Sequence, residues 1–245
     1  MRISIIEGDK RSLRLCELLA ADGWDAELFE SDEPEKAAEW GEIIVLPIKG
    51  VDPDSFNGYL KSEQLLITGQ DFLLRNDFAI LNAIPTVEGA VQIAMERTAC
   101  TLRGRNALVI GYGRIGKLLA HALNALGVHV TVSARKSEDF AWLRAFGYDE
   151  LNTMQLQSTL MGFDIVFNTV PHLVLPYARL QELKGDCLVI DLASKPGGID
   201  FKAAEKLGIR VEWALSIPGK VAPESAAEYM RDTLYAMLNE RGVMW

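Results

Sequence analysis

Six residues in the middle of the chain, Gly111-Tyr112-Gly113-Arg114-Ile115-Gly116, restrict the fold more than any other stretch. They follow Asn106-Ala107-Leu108-Val109-Ile110, a short apolar run of the kind a buried parallel strand needs. They precede Lys117-Leu118-Leu119-Ala120-His121-Ala122-Leu123, which keeps its apolar residues on one helical face. Between a strand and a helix, the first glycine permits a tight turn and the second lets the backbone approach a pyrophosphate. The third lets the helix pack close to the strand, while the helix N-terminus faces the phosphates. The segment 111–116 is therefore expected to hold a dinucleotide.

The next strand-like run is Val128-His129-Val130-Thr131-Val132. At its end, where a carboxylate would bind a ribose 2′-hydroxyl, the chain has Ser133-Ala134-Arg135-Lys136. An acid there would repel a 2′-phosphate, whereas a hydroxyl and two cations attract one, with Arg suited to bidentate contact. NADP is expected rather than NAD. The alternative is that Arg135 and Lys136 are solvated loop charges.

A chain of 245 residues holds one large or two small α/β domains, and 49% hydrophobic with 24% charged residues is ordinary globular composition. A net charge of −9, a pI near 5.0 and no basic stripe argue against a nucleic-acid partner. Cys16, Cys100 and Cys187 are odd in number and form no CxxC, which suits a reduced protein without disulfides or a structural metal. The chain starts on strand-like Arg2-Ile3-Ser4-Ile5-Ile6 without a signal-like apolar region, and no run is read as long enough to span a membrane. A cytoplasmic protein is expected.

Strand-like and helix-like stretches alternate throughout. In the first part the strands are Arg2–Ile6, Asp25–Phe29, Glu42–Leu46 and Gln64–Thr68, with helices near Lys10–Ala20, Pro34–Trp40 and Ser55–Lys61. In the second, strands recur at 106–110, 128–132, 163–168, 187–191 and 210–213, with a weaker one near Tyr148–Leu151. A helix is expected from Thr86, behind Pro85, and a long closing helix over about Ala222–Arg241. The fold expected is α/β: two Rossmann-like parallel-sheet domains with a central cleft, the second a complete dinucleotide-binding domain. The boundaries are residues 1–85, joined by the C-terminal helix 222–245, and residues 86–221.

Parallel sheets bind ligands at the carboxyl ends of their strands, which singles out four further stretches. The backbone of Asn168-Thr169-Val170-Pro171-His172 is suited to cover the nicotinamide half of a cofactor through Thr169, Val170 and Pro171. His172 either moves a proton or is an exposed loop histidine. Asp191-Leu192-Ala193-Ser194-Lys195-Pro196-Gly197-Gly198 combines a carboxylate, a hydroxyl and an ammonium in a glycine-flanked turn. Asp191 and Lys195 are candidate proton-transfer groups, Ser194 and Lys195 candidate substrate contacts, and Asp191 and Ala193 candidate cofactor contacts; equally open, Asp191 caps the loop and Lys195 is solvated. Pro218 and Gly219, within Ser216–Pro223, are read as a cofactor-side loop that also starts the closing helix. In the first domain, Asp9 and Arg11 sit at a helix start that suits a carboxylate, with Arg11 as a solvated first-turn charge the alternative. Lys49 is read as surface.

Together these stretches resemble the A subunit of dipicolinate synthase, an enzyme of spore-forming bacteria. The resemblance runs through Gly8-Asp9 with Arg11, Pro85-Thr86-Val87-Glu88-Gly89-Ala90, Val109–Gly116 and Ser133-Ala134-Arg135. It continues in Asn168-Thr169-Val170-Pro171, Ile190–Gly198 and Pro218–Pro223, and is densest from Pro85 to Pro223. The N-terminal part departs, being shorter and reading Glu7-Gly8-Asp9 where the family has Gly-Gly-Asp. The resemblance implies NADP-linked oxidation of a dihydrodipicolinate-type precursor to pyridine-2,6-dicarboxylate during sporulation, with a flavoprotein-like B subunit in a homo- or hetero-oligomer. A small dicarboxylate would be the substrate, with Arg11 and Lys195 as cationic clamps. Two other readings stay open: another two-domain dehydrogenase of the alanine or 2-hydroxyacid type, and a non-catalytic nucleotide-binding partner of a separate catalytic subunit.

Overall fold

The computed structural model describes residues 1–243. In chain order the elements are β1 (Arg2–Ile6), α1 (Lys10–Ala21), β2 (Asp25–Phe29), α2 (Pro34–Trp40), β3 (Ile43–Val45), β4 (Leu65–Ile67), α3 (Gly69–Leu74), α4 (Asn76–Leu81) and α5 (Ala83–Arg97). They continue with β5 (Asn106–Ile110), α6 (Arg114–Ala125), β6 (His129–Ala134), α7 (Ser137–Ala145), β7 (Asp149–Asn152), β8 (Ile165–Asn168), α8 (Tyr177–Leu180), β9 (Leu188–Asp191) and α9 (Phe201–Leu207). Last come β10 (Arg210–Trp213), α10 (Ile217–Val221) and α11 (Pro223–Glu240). The chain divides into two units, Met1–Pro85 with Pro218–Trp245, and Thr86–Ile217.

The first unit is a four-stranded sheet in the order β2-β1-β3-β4, parallel throughout. Its inner strands β1 and β3 are largely apolar on both faces, as a sheet covered on both sides requires, while the edge strand β2 exposes Asp25 and Glu27. Ile3, Ile5, Ile43, Val45 and Ile67 pack on one side with Leu15 and Leu19 of α1 and with Met230, Leu234 and Leu238 of α11. Ile6, Phe29, Ile44 and Leu46 pack on the other with Ala37 and Phe56.

The second unit is a six-stranded parallel sheet in the order β7-β6-β5-β8-β9-β10. Alternation along each strand divides its core. Ala107, Val109, Val132, Phe167 and Ile190 face Leu119 and Leu123 of α6 and Ala90 and Ala94 of α5. Leu108, Ile110, Val166 and Val189 face Leu175, Leu180, Ala203 and Ala204. The order reverses between β5 and β8, the crevice where doubly wound sheets bind nucleotides.

The expectation of α/β architecture with parallel sheets is met, and the local differences have physical causes. Ser55–Lys61 is not an α-helix; a single 3-10 turn, Pro53–Phe56, buries Phe56 and stops at Asn57. The helix expected from Thr86 begins at Ala83, so Pro85 lies in its first turn, where a missing N–H does no harm. Two short helices, α3 and α4, add to the expected elements; Thr68 and Asp71 cap α3 reciprocally. The reading that no run is long enough to span a membrane needs correcting. The stretch Asn76–Arg97, 22 residues, passes by length and composition. It is two helices, and it contributes Phe78 to the core of the first unit and Val87, Ala90 and Ala94 to that of the second, while Ile80, Leu81 and Met95 are exposed. Of the expected C-terminal helix 222–245, Met244 and Trp245 lie outside the described residues.

Candidate functional site

The glycine turn sits at the sheet's reversal point. Gly111 has φ +98°, and a Cβ on it would lie 2.5 Å from Thr169 Oγ1. A Cβ on Gly116 would lie 2.0 Å from the Gly111 carbonyl oxygen, so α6 packs directly on the turn. Gly113 differs: nothing lies within 4 Å of its Cβ position, and it precedes α6 without a side-chain cap. Open space above uncapped helix N–H groups is what a pyrophosphate requires, so these residues fit a dinucleotide. Arg114 is exposed at the start of α6 and Ile115 packs inward. Tyr112 also turns into the core, where burial raises its hydroxyl above the ordinary phenol range, so it serves the turn through its backbone.

At the end of β6 the expected cluster splits. Arg135 and Lys136 are exposed, and among the described residues neither has a salt bridge or side-chain hydrogen bond. Ser133 is fully buried, and its hydroxyl shares a 3.0 Å hydrogen bond with Thr153. The reading of Ser133 as a phosphate contact is therefore corrected: its side chain is spent inside the sheet. Ala134 is buried as well.

The loops after β8 and β9 are joined by a buried polar pair. Register places Ile110, Asn168, Asp191 and Trp213 in one row across β5, β8, β9 and β10. Asn168 Nδ2 donates to Asp191 Oδ1 at 2.7 Å and to the Val170 carbonyl at 2.9 Å, and Asn168 Oδ1 accepts from Val170 N–H at 3.1 Å. The Ala193 N–H donates to Asp191 Oδ1 at 3.0 Å and the Gly198 N–H to Oδ2 at 2.8 Å. Asp191 is fully buried and accepts from three donors, so it is corrected from a proton-transfer or cofactor contact to the organiser of its loop. Ser194 and Lys195 are exposed, Lys195 being joined to Pro196 by a cis peptide bond, whereas Ala193 is buried. Thr169 donates through Oγ1 to the Ile110 carbonyl at 2.9 Å, Val170 is half-buried, and Pro171 and His172 are exposed. Sequence reasoning missed the roles of Asn168 and Trp213, whose indole N–H donates to the Ala193 carbonyl at 3.1 Å. Their only signal is a position at a strand end, which gains meaning once the register is known.

In the first unit, Arg11 is buried and closes on Asp9: Nη2 lies 2.7 Å from Oδ2 and Nε 2.9 Å from Oδ1. Asp9 also accepts from the Arg11 backbone N–H at 3.0 Å, capping α1. Burial alone would raise the Asp9 carboxyl, but hydrogen bonds and charge from Arg11 outweigh it and hold the group below the usual carboxylate range. The helix start read as open to a substrate carboxylate is thus filled by Asp9 itself, leaving Arg11 Nη1 without a partner among the described residues. Pro218 and Gly219 are buried, with a Cβ on Gly219 only 2.5 Å from Asp9 Oδ2, so the cofactor-side reading of these two is corrected. Lys49 is exposed.

A doubly wound parallel sheet with a glycine turn open at its reversal point defines a nicotinamide-dinucleotide-binding domain of the dehydrogenase type. Residues 85–194 match the family model of the D-isomer specific 2-hydroxyacid dehydrogenase NAD binding domain. The particular kinship is with the A subunit of dipicolinate synthase, as the sequence motifs led one to expect. The Bacillus subtilis protein of that name is 40% identical over 166 residues, 68% of this chain and 56% of its own length. The crystal structure of the corresponding Bacillus halodurans protein superposes with a TM-score of 0.87 at 29% identity, covering 97% of both chains. That of the Bacillus subtilis protein gives 0.84 at 28% identity, covering 98% of this chain and 96% of that one. The aligned segments span between about a third and just over half of the curated relatives' lengths.

Proposed function

We propose that this protein is an NADP-dependent oxidoreductase that oxidises a dihydrodipicolinate-type precursor to pyridine-2,6-dicarboxylate. It would act in the cytoplasm during sporulation, paired with a flavoprotein-like B subunit. The observation that carries the reading is the 40% identity over 166 residues to the A subunit of dipicolinate synthase. The exposed, unpaired Arg135 and Lys136 support NADP over NAD.

When bound, a nicotinamide would supply the hydride acceptor; everything else falls to the chain. Gly111, Gly113 and the α6 N-terminus would hold the pyrophosphate. The loops after β8 and β9 orient the ring-binding end, with Lys195 and Ser194 meeting a substrate carboxylate. Lys195, or His172, takes the proton that leaves as the ring becomes aromatic.

The test is purified protein, with and without the B subunit, given freshly made precursor and NADP and followed at nicotinamide and pyridine absorbances. Reduction of NADP coupled to pyridine formation is expected, and Lys195→Met should reduce it at least thirtyfold with NADP affinity intact. Activity on 2-oxo acids instead, or none in the assembled complex, would overturn the reading.

A further inference from the structure

We propose that Asp191 and Asn168 are positioning residues that lock the β9 loop onto the β8 loop and so present Ser194 and Lys195 on a rigid three-residue projection, Ser194–Pro196. The inference rests on the reading of Lys195 as a substrate-side group. The loop is fixed on both sides of that projection. Before it, Ala193 is held through its N–H by Asp191 and through its carbonyl by the Trp213 indole. Behind it, the Gly198 N–H is held by Asp191, and the Gly198 carbonyl accepts from the Val174 and Leu175 N–H groups at 2.8 and 3.0 Å. Only Ser194, Lys195 and Pro196 between these anchors are exposed.

The two glycines are required by this closure. A Cβ on Gly198 would lie 2.2 Å from Asn168 Nδ2 and 2.6 Å from the Val170 carbonyl, so the loops touch with no room for a side chain. Gly197 has φ +86°, and its Cβ position lies 2.9 Å from Asp191 Oδ2. The Asn168 amide can take only one orientation. Reversed, it would turn an oxygen toward Asp191 and the Val170 carbonyl, and an N–H toward the Val170 N–H. Asp191 accepts on both oxygens, Oδ1 from Asn168 and Ala193 and Oδ2 from Gly198, and a buried carboxyl so placed holds geometry away from solvent.

Asp191→Asn keeps the shape but turns an amide N–H toward one of three donors. In the full chain it should speed amide exchange at Ala193 and Gly198 at least tenfold while β5, β8 and β9 stay protected. NADPH affinity, read by cofactor fluorescence, should stay within about threefold. Turnover should fall at least thirtyfold, with the pH profile lowered in height and unchanged in shape. Trp213→Phe, which keeps an aromatic ring and removes the N–H, should speed exchange at Ala193, Ser194 and Lys195 and lower turnover three- to tenfold. Unchanged exchange at these positions in both variants overturns the proposal. So does loss of one limb of the pH profile in Asp191→Asn, since that marks a proton-transfer group. If the wild type shows no turnover of the precursor, the functional reading fails while the exchange data still decide the lock.

Discussion

Arg135 and Lys136 stand exposed at the end of β6 without an anionic partner among the described residues, whereas Arg75, Arg144 and Arg231 each hold a carboxylate. Two unpaired cations at this point of a dinucleotide-binding sheet suit a 2′-phosphate, and with Ser133 buried the proposed choice of NADP rests on them alone. A charge-assisted contact of this kind contributes about 1.5–3 kcal/mol. Arg135→Ala should therefore weaken NADP binding by roughly ten- to a hundredfold and leave NAD within twofold, as measured by calorimetry. A wild type that binds both cofactors equally would remove the 2′-phosphate from this position. At this scale the sequence shows which residue types meet at a strand end but not which way they point. Ser133 and Arg135 differ by two positions, yet one is inside the sheet and the other beyond its last paired residue.

Elements are more legible than side chains, because a strand or helix leaves a period in the sequence while a loop does not. The run 106–110, the glycine turn and the amphipathic face of α6 can be read together, since each constrains the next. The 3-10 turn at Pro53–Phe56 and the start of α5 at Ala83 escape the same reading, because a proline suits either side of a helix boundary. The lock between the β8 and β9 loops is invisible in the sequence, since it depends on the pairing Asn168↔Asp191 and on sheet order. The helix–turn contact gives a test at this scale. A Cβ on Gly116 meets the Gly111 carbonyl at 2.0 Å, a backbone atom that cannot swing aside as a side chain would. Gly116→Ala should push α6 off the turn, destabilise the chain by about 1–3 kcal/mol and lower cofactor affinity at least tenfold. Gly113→Ala meets no protein atom, so it should leave stability within about 0.5–1 kcal/mol, the ordinary glycine-to-alanine effect. It should still weaken the dinucleotide, which needs that space. Equal melting temperatures for Gly116→Ala and wild type would show that the close approach is not required.

For the whole molecule, what matters is that each unit closes its own core. The first unit covers its four-stranded sheet with α1 and α11 on one face and with Ala37 and Phe56 on the other. The second covers six strands with α5 and α6 on one face and Leu175, Leu180 and Ala203 on the other. The chain crosses between them only near Pro85 and Pro218, so two cooperative units are expected rather than one. Every residue fitted to the dinucleotide lies in the second unit, so cofactor should stabilise that unit selectively. At a hundred times its dissociation constant a ligand stabilises the state that binds it by about 2.7 kcal/mol, up to a hundredfold in exchange through opening. Adding NADPH should slow amide exchange in β5, β6, β8 and β9 by up to that factor, while amides of β1, β3 and the middle of α11 exchange as before. Equal slowing in both units would mean that they open together, and the division of cores would not be a division of stability. No slowing in β5 and β6 would remove the cofactor from the glycine turn, and with it the basis for assigning redox chemistry to this chain.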